Sequence, residues 1–345
     1  MISLLTIVSA ALLACVLTAL LRRYALSRSL LDIPNARSSH SLPTPRGGGV
    51  AIVIAFLLGG GALYCWGALP QSLFIALLGA GGGVALLGFL DDHGHVAARW
   101  RLLGHFLAAA WCLYWLSGLP PVSAFGNSWD LGVLGQIVAA LYLVWLLNLY
   151  NFMDGIDGIA SVEAITACLG IALISRLMGA DELVPPVLLL AASCAGFLSW
   201  NFPPARIFMG DAGSGFLGIV LGTLSIHTAW VNGDLLWSWL ILLGVFIVDA
   251  TLTLLRRLLR GERVYEAHRS HAYQFAARRF NKHLPVTLAV LLINLLWLLP
   301  MAVCAALGWL PGPLVLVMAY LPLIALAIKY RAGAAESVER VMTNE

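Results

Sequence analysis

The feature that most constrains this chain is a series of eleven apolar stretches, each of about the length that crosses a membrane as a helix. Such a helix needs about 20 residues. The apolar residues are continuous rather than alternating, and only 11% of the 345 residues are charged, which argues against a β-barrel and against a soluble domain. We therefore predict a single all-α polytopic membrane domain over residues 1–345, with spans at roughly 2–21, 48–66, 72–90, 102–118, 132–150, 158–177, 184–200, 213–231, 235–255, 284–308 and 312–330.

The distribution of positive charge predicts the orientation of these spans. With eleven spans, alternate loops share a side of the membrane, and 19 of the 20 Lys and Arg residues lie on one side, with Arg176 as the exception. Basic residues favour the cytoplasmic side, so we expect the N-terminus outside and the C-terminus in the cytoplasm. No basic residue precedes the first apolar stretch, which favours a retained first span over a cleaved signal peptide.

A polar segment at the centre of the chain carries the strongest functional signal. It reads Asn148-Leu-Tyr-Asn151-Phe-Met-Asp154-Gly-Ile-Asp157-Gly158 and lies between two apolar stretches. Lipid offers these carboxylates and carboxamides no hydrogen-bond partner, so we expect a polar ligand or an ion to face them. The alternative is a helix-entry turn in which Asn and Asp act only as caps.

Two further acidic motifs lie at similar boundaries. Asp91 and Asp92 end the third apolar stretch, and Asp211 opens the eighth within Gly-Asp-Ala-Gly-Ser214-Gly. Adjacent carboxylates repel, so a cation beside them is expected, and oxygen ligands favour Mg²⁺ or Mn²⁺. His93 and His95 suggest zinc, but no Cys or third His stands at zinc-like spacing. The alternatives are a solvated helix end at Asp91 and Asp92 and an ordinary Gly-rich turn at Asp211.

Two inner loops are basic. The first contains Arg37 and Arg46 among hydroxyl groups and glycines, which suits phosphate binding. The second, the basic loop 256–283, carries eight Lys and Arg residues together with His268 and His271. Both could instead serve only to anchor the chain at the cytoplasmic face.

One acid, Asp249, lies inside the ninth apolar stretch. An acid within a membrane span is a functional candidate. It could equally be a simple partner for Arg256.

Acidic clusters at one face of an apolar body suit an enzyme in which a phosphorylated soluble substrate meets a lipid at the inner leaflet. The rival class is an ion-coupled secondary transporter, which predicts acids near the bilayer midplane, broken helices and internal repeats. A lipid-binding scaffold is a third class, but it would not need this many clustered acids.

Taken together, the motifs resemble the polyprenyl-phosphate N-acetylhexosamine-1-phosphate transferases. The resemblance rests on Asp32-Ile-Pro-Asn35 with Pro43-Thr44-Pro-Arg46-Gly-Gly, on Asp91-Asp92, on Asn151-Phe-Met-Asp154-Gly-Ile-Asp157-Gly, on Phe208-Met-Gly-Asp211-Ala-Gly-Ser214, and on Asp249 before Arg256-Arg257. The arrangement looks closest to members that initiate O-antigen synthesis for lipopolysaccharide. The enzyme that makes peptidoglycan lipid I by transferring phospho-MurNAc-pentapeptide is the alternative within the family.

The resemblance implies transfer of a sugar 1-phosphate from a UDP-N-acetyl amino sugar to undecaprenyl phosphate at the inner leaflet, with release of UMP. It implies Mg²⁺, with Mn²⁺ as the alternative ion, and places the protein in the bacterial inner membrane with a periplasmic N-terminus and a site facing the cytoplasm. A homodimer is compatible with it, and no nucleic acid partner is expected.

The resemblance also assigns residues to roles. Asp91, Asp92 and Asp211 are the implied catalytic residues and metal ligands. The implied substrate-binding residues are Asp32, Asn35, Arg37, Thr44, Arg46, Asn151, Asp154, Asp157, Ser214, Arg269 and His271. The family commonly has a His-x-His-His cluster in its last inner loop, and here only His271 keeps a cluster histidine. This departure points to another sugar, such as a 6-deoxy amino sugar.

Overall fold

The computed structural model describes residues 2–28, 30–33, 40, 43–94, 96–262 and 268–335, and the structural statements below concern these residues. Its helices, in chain order, are α1 (Ile2–Ser27), α2 (Val50–Cys65), α3 (Gln71–His93), α4 (Ala98–Trp115), α5 (Gly132–Met153), α6 (Ile159–Leu177), α7 (Asp181–Asn201), α8 (Asp211–Val231), α9 (Asp234–Leu242), α10 (Gly244–Leu259), α11 (Ala272–Phe280), α12 (Leu284–Ala306) and α13 (Gly312–Lys329).

The all-α polytopic membrane class is confirmed. Within the described ranges, eight helices are long and apolar enough to cross a membrane, namely α1, α3, α5, α6, α7, α8, α12 and α13. Helices α9 and α10 meet at 71° and would form a ninth span if they act as one. Helix α2 is shorter, with 16 residues, and α4 begins with Arg99 and Arg101 in its first turn. Every predicted apolar stretch is therefore helical, while the count of eleven spans and their orientation stay predictions.

Helix α8 lies at the centre of the bundle, and most of its residues are buried. Its glycines allow the neighbouring helices to approach closely. A Cβ atom added at Gly218 would lie 2.5 Å from the Cα of Leu147 on α5. A Cβ atom added at Gly88 on α3 would lie 2.5 Å from the backbone of Asp211. These contacts bring the polar ends of α3, α5 and α8 together.

Two small antiparallel ribbons complete the fold. Strand β1 (Leu31–Asp32) pairs with β2 (Thr44–Pro45), and β3 (Val122–Ala124) pairs with β4 (Asn127–Trp129). The segment after β2 is hydrogen-bonded to the loop before α8, because Gly48 N donates to Phe208 O over 2.9 Å and Phe208 N donates to Pro45 O over 2.8 Å. The first basic loop is thereby attached to the start of α8.

The short helix α11 is held by the intramembrane acid. The Asp249 carboxylate accepts the N–H groups of Ala272 and Tyr273 over 2.9 and 3.0 Å. It thus satisfies two donors at a helix start that have no partner within the helix. Arg256 donates to Ala332 O over 2.9 Å, so the simple pair with Asp249 is not what the structure shows.

Candidate active site

The acidic motifs converge on one cavity of about 260 Å³ at the polar ends of α3, α5 and α8. Its walls come from five separate parts of the chain, which explains why no single motif could define it. The cavity is lined by Asp32, His40, Arg46, Asp92, Asn151, Asp154, Gly155, Ile156, Asp157, Asn201, Phe208, Met209, Gly210, Asp211, Ser214, Gln274 and His283.

Asn151 joins α5 to the start of α8. Its Nδ2 donates to Asp211 Oδ1 over 2.8 Å and to Ser214 Oγ over 2.9 Å. Gly210 has a φ of 78°, a left-handed conformation that glycine adopts without strain, and this places Asp211 at the first position of α8. The second carboxylate oxygen of Asp211, Oδ2, lies 4.0 Å from the guanidinium of Arg101.

Asp91 and Asp92 face different partners although they are adjacent in sequence. The Asp91 carboxylate accepts hydrogen bonds from Arg101 and from the backbone N–H of Val96. The Asp92 carboxylate accepts the N–H groups of Asp211 and Ala212 over 3.2 and 3.3 Å, so it caps α8. Both carboxylates therefore already have protein partners, and among the three predicted metal ligands Asp211 presents the most exposed carboxylate.

Asp154 follows α5 directly, and its carboxyl group is surrounded by other acids. Burial raises its pKa well above the usual value, and the nearby carboxylates of Asp211, Asp92 and Asp157 raise it further. Its side chain has no hydrogen-bond partner among the described residues. A cation in the cavity would relieve this repulsion.

Asp157, in contrast, is fixed on both sides. Oδ1 lies 3.1 Å from His283 Nδ1, and Oδ2 accepts the N–H of Ala205 over 3.0 Å. Its backbone carbonyl also accepts the Thr287 hydroxyl over 2.8 Å. This carboxylate is suited to holding a wall of the cavity in place.

The first basic loop contributes two of its predicted residues to the cavity wall. Arg46 donates to the backbone carbonyl of Asp92, and Asp32 lies 3.4 Å from His40. Thr44 lines an adjoining vestibule instead. The predicted residues Asn35 and Arg37 lie outside the described residues.

The two predicted residues of the last inner loop do not line the cavity. His271 is 3% exposed, and its Nδ1 lies 3.4 Å from Asp249 Oδ1. Arg269 lies beside α11, where its carbonyl accepts Arg278 over 3.1 Å. The His268 ring is tilted against the His271 ring, with the centroids 4.9 Å apart. Burial, followed by the charges of His271 and Arg257, lowers the pKa of His268 to about 3. Diphosphate binding by His271 and Arg269 stays a prediction.

The site residues assigned from the sequence do not include several that line the cavity, namely His40, Asn201, Phe208, Gln274 and His283. Asn201 was detectable as a polar residue at the end of an apolar stretch, and it accepts the N–H of Gly158 over 2.9 Å. Nothing in the sequence connects His283 with Asp157, which precedes it by more than a hundred residues.

Two other cavities adjoin the site. A lateral chamber of about 190 Å³ shares Asn151 and Asp211 with it and is otherwise lined by Val84, Leu87, Gly88, Asp91, Ala98, Arg101, Leu102, His105, Leu147, Asn148, Phe152 and Gly215. A wider vestibule of about 580 Å³ shares His40, Asp157, Phe208 and His283 and includes Arg278 and Lys282. The site therefore connects with a largely apolar chamber on one side and a basic vestibule on the other.

The residues present are compatible with Mg²⁺. Mg²⁺ is typically held by one or two carboxylates, with waters and substrate phosphates as the remaining ligands. Asp211 presents a carboxylate to the cavity, and the Asp154 carboxylate beside it has no hydrogen-bond partner within the described ranges. Within the described part of the chain, no three His, Cys, Asp or Glu side chains are arranged as a ready-made metal site.

Comparison with known proteins identifies the family. The sequence profile of glycosyl transferase family 4 matches residues 74–229, which include Asp91, Asn151 and Asp211. An undecaprenyl-phosphate alpha-N-acetylglucosaminyl 1-phosphate transferase of Thermotoga maritima is 30% identical over 286 residues, which are 82% of this chain and 86% of that protein. The chain belongs to glycosyl transferase family 4.

Other relatives widen the comparison. A decaprenyl-phosphate N-acetylglucosaminephosphotransferase of Mycobacterium tuberculosis is 29% identical over 296 residues, which are 75% of this chain and 72% of that protein. A phospho-N-acetylmuramoyl-pentapeptide-transferase of Pelotomaculum thermopropionicum is 30% identical over 251 residues, which are 67% of this chain and 74% of that protein. The resemblance to polyprenyl-phosphate sugar-1-phosphate transferases is thus confirmed for this member of the family.

Proposed function

We propose that this protein transfers an N-acetyl amino sugar 1-phosphate from a UDP-sugar to undecaprenyl phosphate at the inner leaflet of the bacterial cytoplasmic membrane. The products are UMP and undecaprenyl-diphospho-sugar, which would initiate O-antigen or a related cell-envelope glycan. The observation that carries the proposal is the position of Asn151 and Asp211. They form the wall shared by an acidic cavity and a largely apolar chamber within the bundle.

The donor would enter through the vestibule. Arg278 and Lys282 suit the diphosphate there, and the aromatic ring of Phe208 lines both the vestibule and the cavity. A planar base can stack on such a ring. The β-phosphorus would then lie near Asp211, and the basic loop would contribute positive charge as the sequence predicts.

The acceptor would reach the site from the lateral chamber. Leu87, Leu102 and Leu147 provide apolar walls for the first part of a polyprenyl chain. The Arg101 guanidinium would bind the phosphate of the acceptor, and the Asp91 carboxylate, hydrogen-bonded to Arg101, would hold that guanidinium in place. Asp91 would then act as a positioning residue rather than as a base.

The reaction exchanges one phosphoanhydride for another. An oxygen of the lipid phosphate attacks the β-phosphorus, a new P–O bond forms, and the bond between that phosphorus and the UMP oxygen breaks. The acceptor is already ionised, so catalysis is mainly positioning and charge neutralisation. We propose that Asp211, with Asp154, holds Mg²⁺, which would neutralise phosphate charge when bound.

The deciding experiment uses purified protein, undecaprenyl phosphate, Mg²⁺ and a panel of UDP-sugars that includes UDP-GlcNAc and 6-deoxy amino sugar donors. We expect UMP and a lipid diphosphosugar, reversal when UMP is added to that lipid, and loss of both directions with EDTA. Release of UDP instead of UMP would refute phosphosugar transfer. UDP-MurNAc-pentapeptide belongs in the panel because one relative is named for that substrate.

A further inference from the structure

The interior of the bundle contains a carboxyl group that the proposed reaction does not use. Glu163 lies on α6 and is 0% exposed. Among the described residues, Glu163 forms no ion pair, so no basic side chain there neutralises it. A bare carboxylate in such a place is strongly unfavourable.

Asn294 on α12 is the main partner of Glu163. Its Nδ2 donates to Glu163 Oε2 over 2.6 Å and to Thr166 Oγ1 over 2.7 Å. The Thr166 hydroxyl in turn donates to the carbonyl of Val162 over 2.9 Å. Both hydrogens of the Asn294 amide are therefore used, and neither is available to another acceptor.

One side-chain oxygen of Glu163 and one of Asn294 take no part in these hydrogen bonds. Glu163 Oε1 and Asn294 Oδ1 are both buried, and neither has a hydrogen-bond partner among the residues that the structure describes. They belong to two groups that are already joined through Oε2 and Nδ2, so each is the other's natural partner. Two acceptors cannot bond to each other, but a proton on Oε1 would give both of them a hydrogen bond.

We propose that Glu163 is a neutral carboxylic acid that forms a reciprocal pair with the Asn294 carboxamide and that this pair positions α10. Asn294 begins an irregular turn of α12, Asn294–Leu298, and α10 begins after the 71° break that follows α9. Leu298, the last residue of the irregular turn, lies beside the start of α10, because its Cδ1 would be 3.6 Å from a Cβ atom added at Gly244.

The position of α10 matters for the active site. Asp249 lies on α10 and holds the start of α11. On α11, the Tyr273 hydroxyl donates to the carbonyl of Phe152 over 2.9 Å, beside Asp154. Glu163 is therefore a positioning residue, connected to the cavity wall through α10 and α11.

The protonation state is tested by infrared difference spectroscopy of the full-length protein at neutral pH. The wild type minus Glu163→Gln spectrum should show a protonated carboxyl C=O stretch and no carboxylate bands. Glu182→Gln is the matched control, because Glu182 is exposed and its removal should delete carboxylate bands. Carboxylate bands in the Glu163→Gln difference would overturn the proposal. This experiment does not depend on the proposed activity.

The positioning role is tested by comparing two variants. Gln can pair with Asn294 as an amide, so Glu163→Gln should keep wild-type thermal stability and kcat. Glu163→Met is similar in length but leaves the Asn294 carboxamide without this partner, and it should melt at a lower temperature with a kcat at least tenfold lower. Equal impairment of both variants would overturn the neutral pair. A folded Glu163→Met variant with wild-type kcat would overturn the positioning role.

Discussion

The hypothesis that Asp211 is the central catalytic group is tested by Asp211→Asn. Asparagine has nearly the same shape, so it can still accept the Asn151 hydrogen bond that now spans 2.8 Å. What disappears is the negative charge of the carboxylate, whose Oδ2 lies 4.0 Å from the Arg101 guanidinium. That carboxylate is the predicted ligand for Mg²⁺. The substitution therefore isolates charge from packing.

The expected loss of turnover follows from the removal of the Asp211 charge. The Asn151 hydrogen bond is retained, so the loss of turnover comes from the missing charge and from the missing carboxylate that would hold Mg²⁺. We expect turnover to fall by at least about a hundredfold, which corresponds to about 2.7 kcal/mol. Expression and melting temperature should stay close to those of the wild type.

The assay is release of UMP by purified protein at saturating UDP-sugar and undecaprenyl phosphate. Asp181→Asn is the matched control, because Asp181 lies outside the cavity in an ion pair with Arg176 whose side chains are 67% and 70% exposed. We expect wild-type turnover for that variant. Full activity of a folded Asp211→Asn protein would refute the assignment of Asp211.

Three further hypotheses follow from the structure and the sequence. Arg101→Ala should raise the KM for undecaprenyl phosphate about tenfold or more, with little change in the KM for UDP-sugar, because Arg101 lines the lateral chamber. A change confined to the KM for UDP-sugar would contradict this. His271→Ala should lower turnover by about ten- to a hundredfold, or about 1.4 to 2.7 kcal/mol, because it removes the contact with Asp249. A larger effect of His268→Ala would show that the functional assignment of His271 is wrong. Cysteines at positions 44 and 123 test orientation in intact cells: an impermeant reagent should label position 123, and labelling of position 44 alone would exclude a cytoplasmic site.

The sequence by itself determined the structural class of the protein and indicated most of the acidic residues of the candidate site. Long continuous apolar stretches can satisfy their backbone hydrogen bonds in lipid only as helices, so the helical membrane architecture followed directly. Asp92, Asn151, Asp154, Asp157 and Asp211 were recognisable because polar groups at the ends of such stretches need a reason to be there. All five line the cavity.

Only the tertiary structure decided how these residues are used. Neighbouring positions on a helix point in directions about 100° apart, so Asp91 contacts Arg101 whereas Asp92 caps α8. The pairing of Asp157 with His283 depends on how α12 packs beside the loop after α5. The burial of His271 depends on Asp249 and on the break before α10. These contacts join parts of the chain that are distant in sequence, and local patterns contain no information about which distant partner a side chain will meet.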